Sequence, residues 1–239
     1  MNKEELIHEL KIINIDLTEE QMQNIFDFCS FLLSENEKTN LTAIKKLEEV
    51  YLKHIYDSLT LTKAINLNDI NRVLDIGSGA GFPGIILKFI YPHLEILLLD
   101  SNNKKCEFLN KTIKKFNLKN IEVVNKRAED FITNNREKFD LVTARAVANL
   151  RILTELSLPY VKVNGLFIAM KSHITEELLD TKETIEILNS EIKEIVEFKL
   201  PIENSTRNLV VIEKKDTISS IYPRTYDKII KNPLKKKSR

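Results

Sequence analysis

With 239 residues, 43% hydrophobic and 30% charged, the chain has room for one large domain with an extension, and its composition excludes global disorder. Five glycines and six prolines exclude a collagen-like or low-complexity chain, and two cysteines, Cys29 and Cys106, are too few for a disulfide framework. The net charge of +1 conceals an asymmetry, because residues 224–239 carry +6 and residues 1–223 carry −5. A basic end on a mildly acidic body points to a phosphate-rich partner touched locally.

The first residues, MNKEELIHEL, are charged and lack the apolar core of a signal peptide. No aliphatic run approaches the ~20 residues needed to span a bilayer, so a cytoplasmic protein is expected. Residues 1–62 read as helical. Leu6, Leu10 and Ile13 lie at helical spacing, and Thr18-Glu-Glu-Gln21 has the form of a capping box opening a second helix. That helix carries Ile25, Phe28, Phe31 and Leu32 on one side and is expected to end near Asn36. A third amphipathic stretch runs over 48–61.

From residue 71 the pattern changes. Short aliphatic runs at 72–76, 94–99, 121–124, 139–142, 166–170 and 209–212 alternate with helical patterns at 84–91, 103–116, 147–159 and 176–187. Strands alternating with helices predict an α/β domain with a mostly parallel sheet covered on both faces. Pro201 and Asn204 supply a turn before the last run, so that strand is expected to pair antiparallel. The predicted layout is a helical cap over 1–66, a cofactor-binding domain over 67–215 and a basic tail over 216–239.

Four of the five glycines fall within eight residues, in Val73-Leu-Asp75-Ile-Gly77-Ser-Gly79-Ala-Gly81-Phe-Pro-Gly84. The loop follows a strand and opens a helix, which is where open α/β sheets bind ligands. Two cofactors compete for it. Gly79, Gly81 and Gly84 satisfy the dinucleotide pattern, with Asp100 placed to bind a ribose. In the other frame Asp75 precedes Gly77, and a carboxylate there suits the cationic amino group of S-adenosylmethionine better than a pyrophosphate. Asp100 serves the ribose in both frames. A nicotinamide-dependent oxidoreductase and a non-catalytic RNA-binding protein stand as the alternatives.

The loop Asp75-Ile-Gly-Ser-Gly-Ala-Gly-Phe-Pro-Gly84 resembles that of the glucose-inhibited division protein B family, the ribosomal small-subunit methyltransferase G proteins. So do Asn40-Leu-Thr-Ala, His54-Ile-Tyr-Asp-Ser58, Leu99-Asp-Ser101, Arg127-Ala-Glu129, Ala144-Arg-Ala-Val147, Arg207-Asn-Leu-Val-Val-Ile-Glu-Lys214 and Tyr222-Pro-Arg224. The resemblance implies a Rossmann-like class I methyltransferase fold, with a mostly parallel seven-stranded sheet and an N-terminal helical extension. It also implies S-adenosylmethionine-dependent methylation of a guanine N7 in 16S ribosomal RNA. The expected partner is that RNA or the small ribosomal subunit, met by a monomer.

By the same resemblance, Gly77 and Phe82 line the cofactor, Ala128 and Glu129 meet the adenine, and Arg145 borders the transferred methyl. Asp75, Gly79 and Asp100 complete the expected cofactor set. Asp57, Lys171, Arg207 and Arg224 are the expected RNA-side residues, and Arg145 is the expected catalytic one. His54 and Asp57 lie one helical turn apart and face the same way, which predicts a hydrogen bond on a helix face, not a metal site. Ser157-Leu-Pro-Tyr160 falls after a helix instead of at a strand end, so it does not serve an exocyclic-amine methyltransferase. Neither cysteine is placed to attack a pyrimidine. What remains is an acceptor atom that is already nucleophilic, and guanine N7 is one.

Overall fold

The computed structural model describes residues 1–235. The chain begins with helices α1 (Lys3–Ile12) and α2 (Glu19–Thr39), each opened by a capping box, Asn2 with Glu5 and Thr18 with Gln21. The second helix runs past the expected Asn36 and is closed by Asn40 in the left-handed conformation, φ 51°. A third helical segment is irregular. It starts as α3 (Leu47–Val50), widens into a π-helical stretch over Tyr51–Tyr56, returns as α4 (Asp57–Leu59) and tightens to 3-10 turns at Thr60–Lys63 and Leu67–Asp69.

The α/β part follows as β1 (Arg72–Ile76), α5 (Gly84–Ile90), β2 (Glu95–Asp100), α6 (Asn103–Lys115), β3 (Ile121–Asn125), α7 (Ala128–Phe131) and β4 (Phe139–Arg145). Then come α8 (Leu150–Ser157), β5 (Val161–Lys171), α9 (Thr175–Ile187), β6 (Ser190–Lys199), β7 (Thr206–Lys214) and α10 (Tyr226–Lys231). The seven strands lie in the order β3-β2-β1-β4-β5-β7-β6, and β7 alone runs antiparallel to both its neighbours. This is the seven-stranded, mostly parallel sheet expected. The helix expected over 147–159 starts only at Leu150, because Ala146 takes a left-handed φ of 54° and Asn149 caps the helix.

β6 has no counterpart among the aliphatic runs read from the sequence. It is an edge strand whose charged residues face water, and a register shift between Ile192 and Glu194 interrupts its alternation.

Successive strand residues enter opposite cores, as period-two side chains must. Val73, Leu98, Leu141, Ile168 and Val211 pack against α1, α2, α5 and α6, whereas Leu74, Leu99, Val142, Ala169 and Val210 pack against α8, α9 and α10. Phe28 of α2 is the centre of the first core, with its ring 5.8 Å from those of Phe82 and Phe89. The N-terminal helices therefore share one core with the sheet.

The expected basic tail is partly folded down. Ile218 and Ile229 are buried in the second core. Arg224 donates from Nε and Nη2 to the two carboxylate oxygens of Glu155, at 2.8 and 2.7 Å, and from its backbone N–H to the same group. The Glu155 side chain is 1% exposed, so this is an interior ion pair that pins the tail to α8. Lys228, Lys231 and Lys235 remain exposed. The basic residues Lys236, Lys237 and Arg239 lie outside the described residues. Arg224→Ala should destabilise the fold by about 3 kcal/mol, because it strands a buried carboxylate. Urea unfolding checks this, and a change under about 0.5 kcal/mol, typical of a surface substitution, would contradict it.

Candidate functional site

The cleft lies where the sheet order reverses, at the carboxyl ends of β1, β2 and β4, which is the expected ligand position in a doubly wound sheet. It has two lobes. The smaller, about 310 Å³, is lined by Leu99, Asp100, Ala128, Glu129, Val147 and Tyr226 among others. The larger, about 440 Å³, is lined by Thr42, His54, Asp57, Phe82, Arg145, Lys171, Arg207 and Asn208 among others. Gly77, Lys105 and Ala146 border both lobes and form the passage between them.

The glycine loop is built by its own carboxylates. Asp100 Oδ2 accepts from the Gly79 N–H at 2.8 Å and its Oδ1 from the Asn102 N–H at 2.8 Å. Asp75 Oδ2 accepts from the Gly84 N–H at 3.0 Å. A Cβ on Gly84 would lie 2.9 Å from that same oxygen and 2.2 Å from Leu98 Cδ2, so only glycine lets α5 start this close to β1. At Gly79, φ is +58° and a built Cβ would meet nothing nearer than 3.8 Å. The absent side chain leaves open cleft beside bare backbone, the room a cofactor needs.

Asp75 lies under the loop and away from the cleft surface. It is fully buried beneath the loop, its Oδ1 has no hydrogen-bond partner, and it is not among the residues lining either lobe. Burial, only partly offset by the Gly84 N–H and by Ser78, pushes its carboxyl up to about 7. Its carboxylate also takes the N–H at the start of α5 that a pyrophosphate would use, which disfavours the dinucleotide reading.

In the larger lobe, Arg145 ends β4 with a side chain only 14% exposed. Nη1 donates to the Lys53 carbonyl at 2.8 Å and to Asp57 Oδ2 at 3.0 Å, and Nη2 lies 3.1 Å from His54 Nδ1. The guanidinium carbon stands 5.2 Å from the Phe82 ring centroid. Asp57 Oδ1 pairs with Arg207 Nε at 3.3 Å, so one buried carboxylate serves two arginines. Lys171 bridges Glu177 at 2.8 Å and donates to the Ala148 carbonyl, tying the 146–149 turn to α9.

The structure thus brings Asp57, Arg145, Lys171 and Arg207 to one lobe, and Asp100, Ala128 and Glu129 to the other. Arg224 stays outside both, held by Glu155. Several contributors carry no sequence signal of their own. Lys105 reaches the passage from α6, and Tyr160, fully buried, donates its hydroxyl to the Ala128 carbonyl and so fixes the floor of the smaller lobe. The rejected Ser157–Tyr160 motif is therefore structural. Among the described residues no group of side chains is placed to hold a metal ion.

A seven-stranded sheet of this order with a glycine loop at its switch point defines a Rossmann-like methyltransferase. Solved structures agree on the fold. A putative O-methyltransferase from Klebsiella pneumoniae aligns with a TM-score of 0.56 at 12% identity, covering 79% of this chain and 90% of that one. A precorrin-6y C5,15-methyltransferase from Geobacter metallireducens aligns at 0.53 with 18% identity, covering 72% and 91%. Sequence gives the family. A profile of rRNA small subunit methyltransferase G matches residues 21–210. The chain is 44% identical over 237 residues to the ribosomal RNA small subunit methyltransferase G of Oceanobacillus iheyensis, covering 98% of this chain and 100% of that protein. The Bacillus subtilis protein of the same name is 43% identical, with 98% and 99% covered. The chain belongs to the rRNA small subunit methyltransferase G family and is an S-adenosylmethionine-dependent methyltransferase.

Two outcomes test the site. Asp100→Ala should lower affinity for S-adenosylmethionine about tenfold or more by calorimetry, since it removes charged acceptors that shape the loop. An unchanged affinity would remove Asp100 from the site. Asp75 is raised in the folded state, so its neutral form stabilises the protein at low pH, and that contribution is lost as pH rises from about 4 to about 7. Asp75→Asn should flatten the pH dependence of unfolding free energy over that window. An unaltered slope would contradict the raised pKa.

Proposed function

We propose that the chain methylates N7 of a guanine in 16S ribosomal RNA, with the base held in the larger lobe and the adenosine of the cofactor in the smaller. When bound, S-adenosylmethionine supplies an electrophilic methyl group. In this reading Asp100 meets the ribose, the Ala128-Glu129 segment meets the adenine edge, and Gly77 and Gly79 let the methionine pass close to the backbone. Arg145 contacts the reacting base and Phe82 borders the methyl, while Arg207 and Lys171 face the RNA from the rim. Residues 1–66 build the wall behind Arg145, residues 67–215 hold the cofactor, and the exposed lysines of residues 216–239 meet RNA phosphates.

One observation carries the choice of atom: among the described residues, the carboxylate and the imidazole of the larger lobe and both thiols are engaged or buried. Asp57 is held between two arginines. His54 is hydrogen-bonded through its ring, and burial followed by the charge of Arg145 pushes it down to about 3. Cys106 is buried, with its thiol on the Asp100 carbonyl and its pKa raised by burial. Burial also raises Cys29, which lies in the helical core. Guanine N7 already carries its lone pair, so its methylation releases no proton and needs only alignment. The remaining demand is to orient the base, which a fixed guanidinium can do at O6 or at a phosphate while leaving the N7 lone pair free.

Small-subunit RNA carrying 7-deazaguanine at the target should bind but accept no methyl group. Arg145→Ala should lower turnover on native RNA about a hundredfold, as loss of alignment at the reacting atoms does. Normal methylation of the deaza RNA would assign the reaction to another atom.

A further inference from the structure

In the larger lobe His54 lies against three parts of the Arg145 setting: the guanidinium, the Lys53 carbonyl and the Phe82 ring. It stacks on Phe82 with centroids 4.2 Å apart and planes at 20°. Its Nε2 is 2.9 Å from Thr42 Oγ1, and its Nδ1 is 3.1 Å from Arg145 Nη2. Nδ1 also lies 3.2 Å from the Lys53 carbonyl, but that oxygen already accepts from Arg145 Nη1 at 2.8 Å, and an Nδ1–H would point at the charged Nη2 donor. Arg145 has only donors, so this setting favours Nδ1 as the acceptor, with the proton on Nε2. Thr42 is itself held in place, its Oγ1 accepting from the Ile44 N–H at 3.2 Å. Its backbone N–H donates to Asn36 Oδ1 at 2.9 Å, Asn36 Nδ2 donates to its carbonyl at 3.0 Å, and Asn36 is buried at the end of α2. The charged and titratable groups facing the ring are Arg145, Asp57 beyond it and Lys53 on the same helical stretch, and the Lys53 carbonyl is already taken by Arg145 Nη1. Both burial and the guanidinium oppose protonation.

We propose that His54 is a positioning residue for methyl transfer: a neutral imidazole, protonated on Nε2, that relays the anchorage of Thr42 to Arg145 and fixes the guanidinium within the larger lobe. This rests on the reading of Arg145 as the group that meets the base. The π-helical stretch Tyr51–Tyr56 serves the arrangement by turning both the Lys53 carbonyl and the His54 ring toward the same guanidinium. His54 binds no substrate and moves no proton. It removes the freedom of a long side chain that would otherwise choose among carbonyl, carboxylate and solvent.

Two measurements test this on the full-length protein. The ¹⁵N spectrum of the imidazoles, with His54 assigned by its loss in His54→Phe, should show an Nε2–H tautomer that does not titrate between pH 5 and 9. An Nδ1–H tautomer, or an imidazolium at pH 6, would overturn the proposal whatever the reaction is. In single-turnover assays with small-subunit RNA, His54→Phe keeps the stack and loses both hydrogen bonds. It should slow methyl transfer about tenfold or more, the cost of a hydrogen bond to a charged group, with affinity for S-adenosylmethionine within about twofold of wild type. His54→Asn, which restores an acceptor and a donor, should recover most of that rate, and it carries the test if His54→Phe folds poorly. A rate unchanged in His54→Phe while Arg145→Ala is slow would defeat the positioning role. A rate unchanged in Arg145→Ala would instead defeat the reading of Arg145, leaving the tautomer as found.

Discussion

The guanidinium of Arg145 cannot be neutralised, and its side chain is 14% exposed, so the fold must surround it with acceptors. Almost all of them come from the N-terminal segment: the Lys53 carbonyl, Asp57, and His54 backed by Thr42 and Asn36. The glycine loop adds the Phe82 face. The first sixty residues are thus part of the site wall, and their docking is enforced by apolar packing. Phe28 reaches the rings of Phe82, Phe89, Phe108 and Phe116 across the boundary between helices and sheet. A charged group at a strand end and an aromatic cluster beneath it hold the two parts in one geometry.

At the glycine loop, two carboxylates divide the work by burial. Asp75 lies fully inside and sets where α5 begins, whereas Asp100 is at the cleft wall and grips Gly79 while lining the smaller lobe. The Ala146 turn, with its left-handed φ of 54°, borders both lobes directly after Arg145. A non-glycine residue in that conformation is an uncommon strain that surrounding contacts must hold, and Lys171 provides one through the Ala148 carbonyl. The tail closes the arrangement, since the Arg224 to Glu155 pair brings α10 in and lets Tyr226 line the smaller lobe.

Much of this was legible in the residues alone. A chain with five glycines advertises the loop that holds four of them, and the aliphatic runs of buried parallel strands stand out because both faces are apolar. β6 was not legible, because an edge strand with Glu191, Lys193, Glu194, Glu197 and Lys199 reads as a polar loop until β7 pairs with it. The depth of Asp75 was hidden for a different reason: spacing places a carboxylate beside a loop but does not say whether it faces the ligand or the strand beneath. Arg224 shows the limit of charge as a guide, since its buried partner is 69 residues away. His54 is the same case on the other side, because its partner Arg145 is 91 residues distant and only the folded sheet joins them.

In the proposed binding mode one cleft carries the cofactor from Asp100 to Arg145 through the passage at Gly77 and Ala146. A crystal structure of the protein with S-adenosylmethionine tests it most directly. The ribose hydroxyls should lie on Asp100, the adenine beside Ala128 and Glu129, and the sulfonium methyl should point into the larger lobe toward Arg145. A cofactor seated with its methyl turned away from that lobe, or bound outside the two lobes, would contradict it.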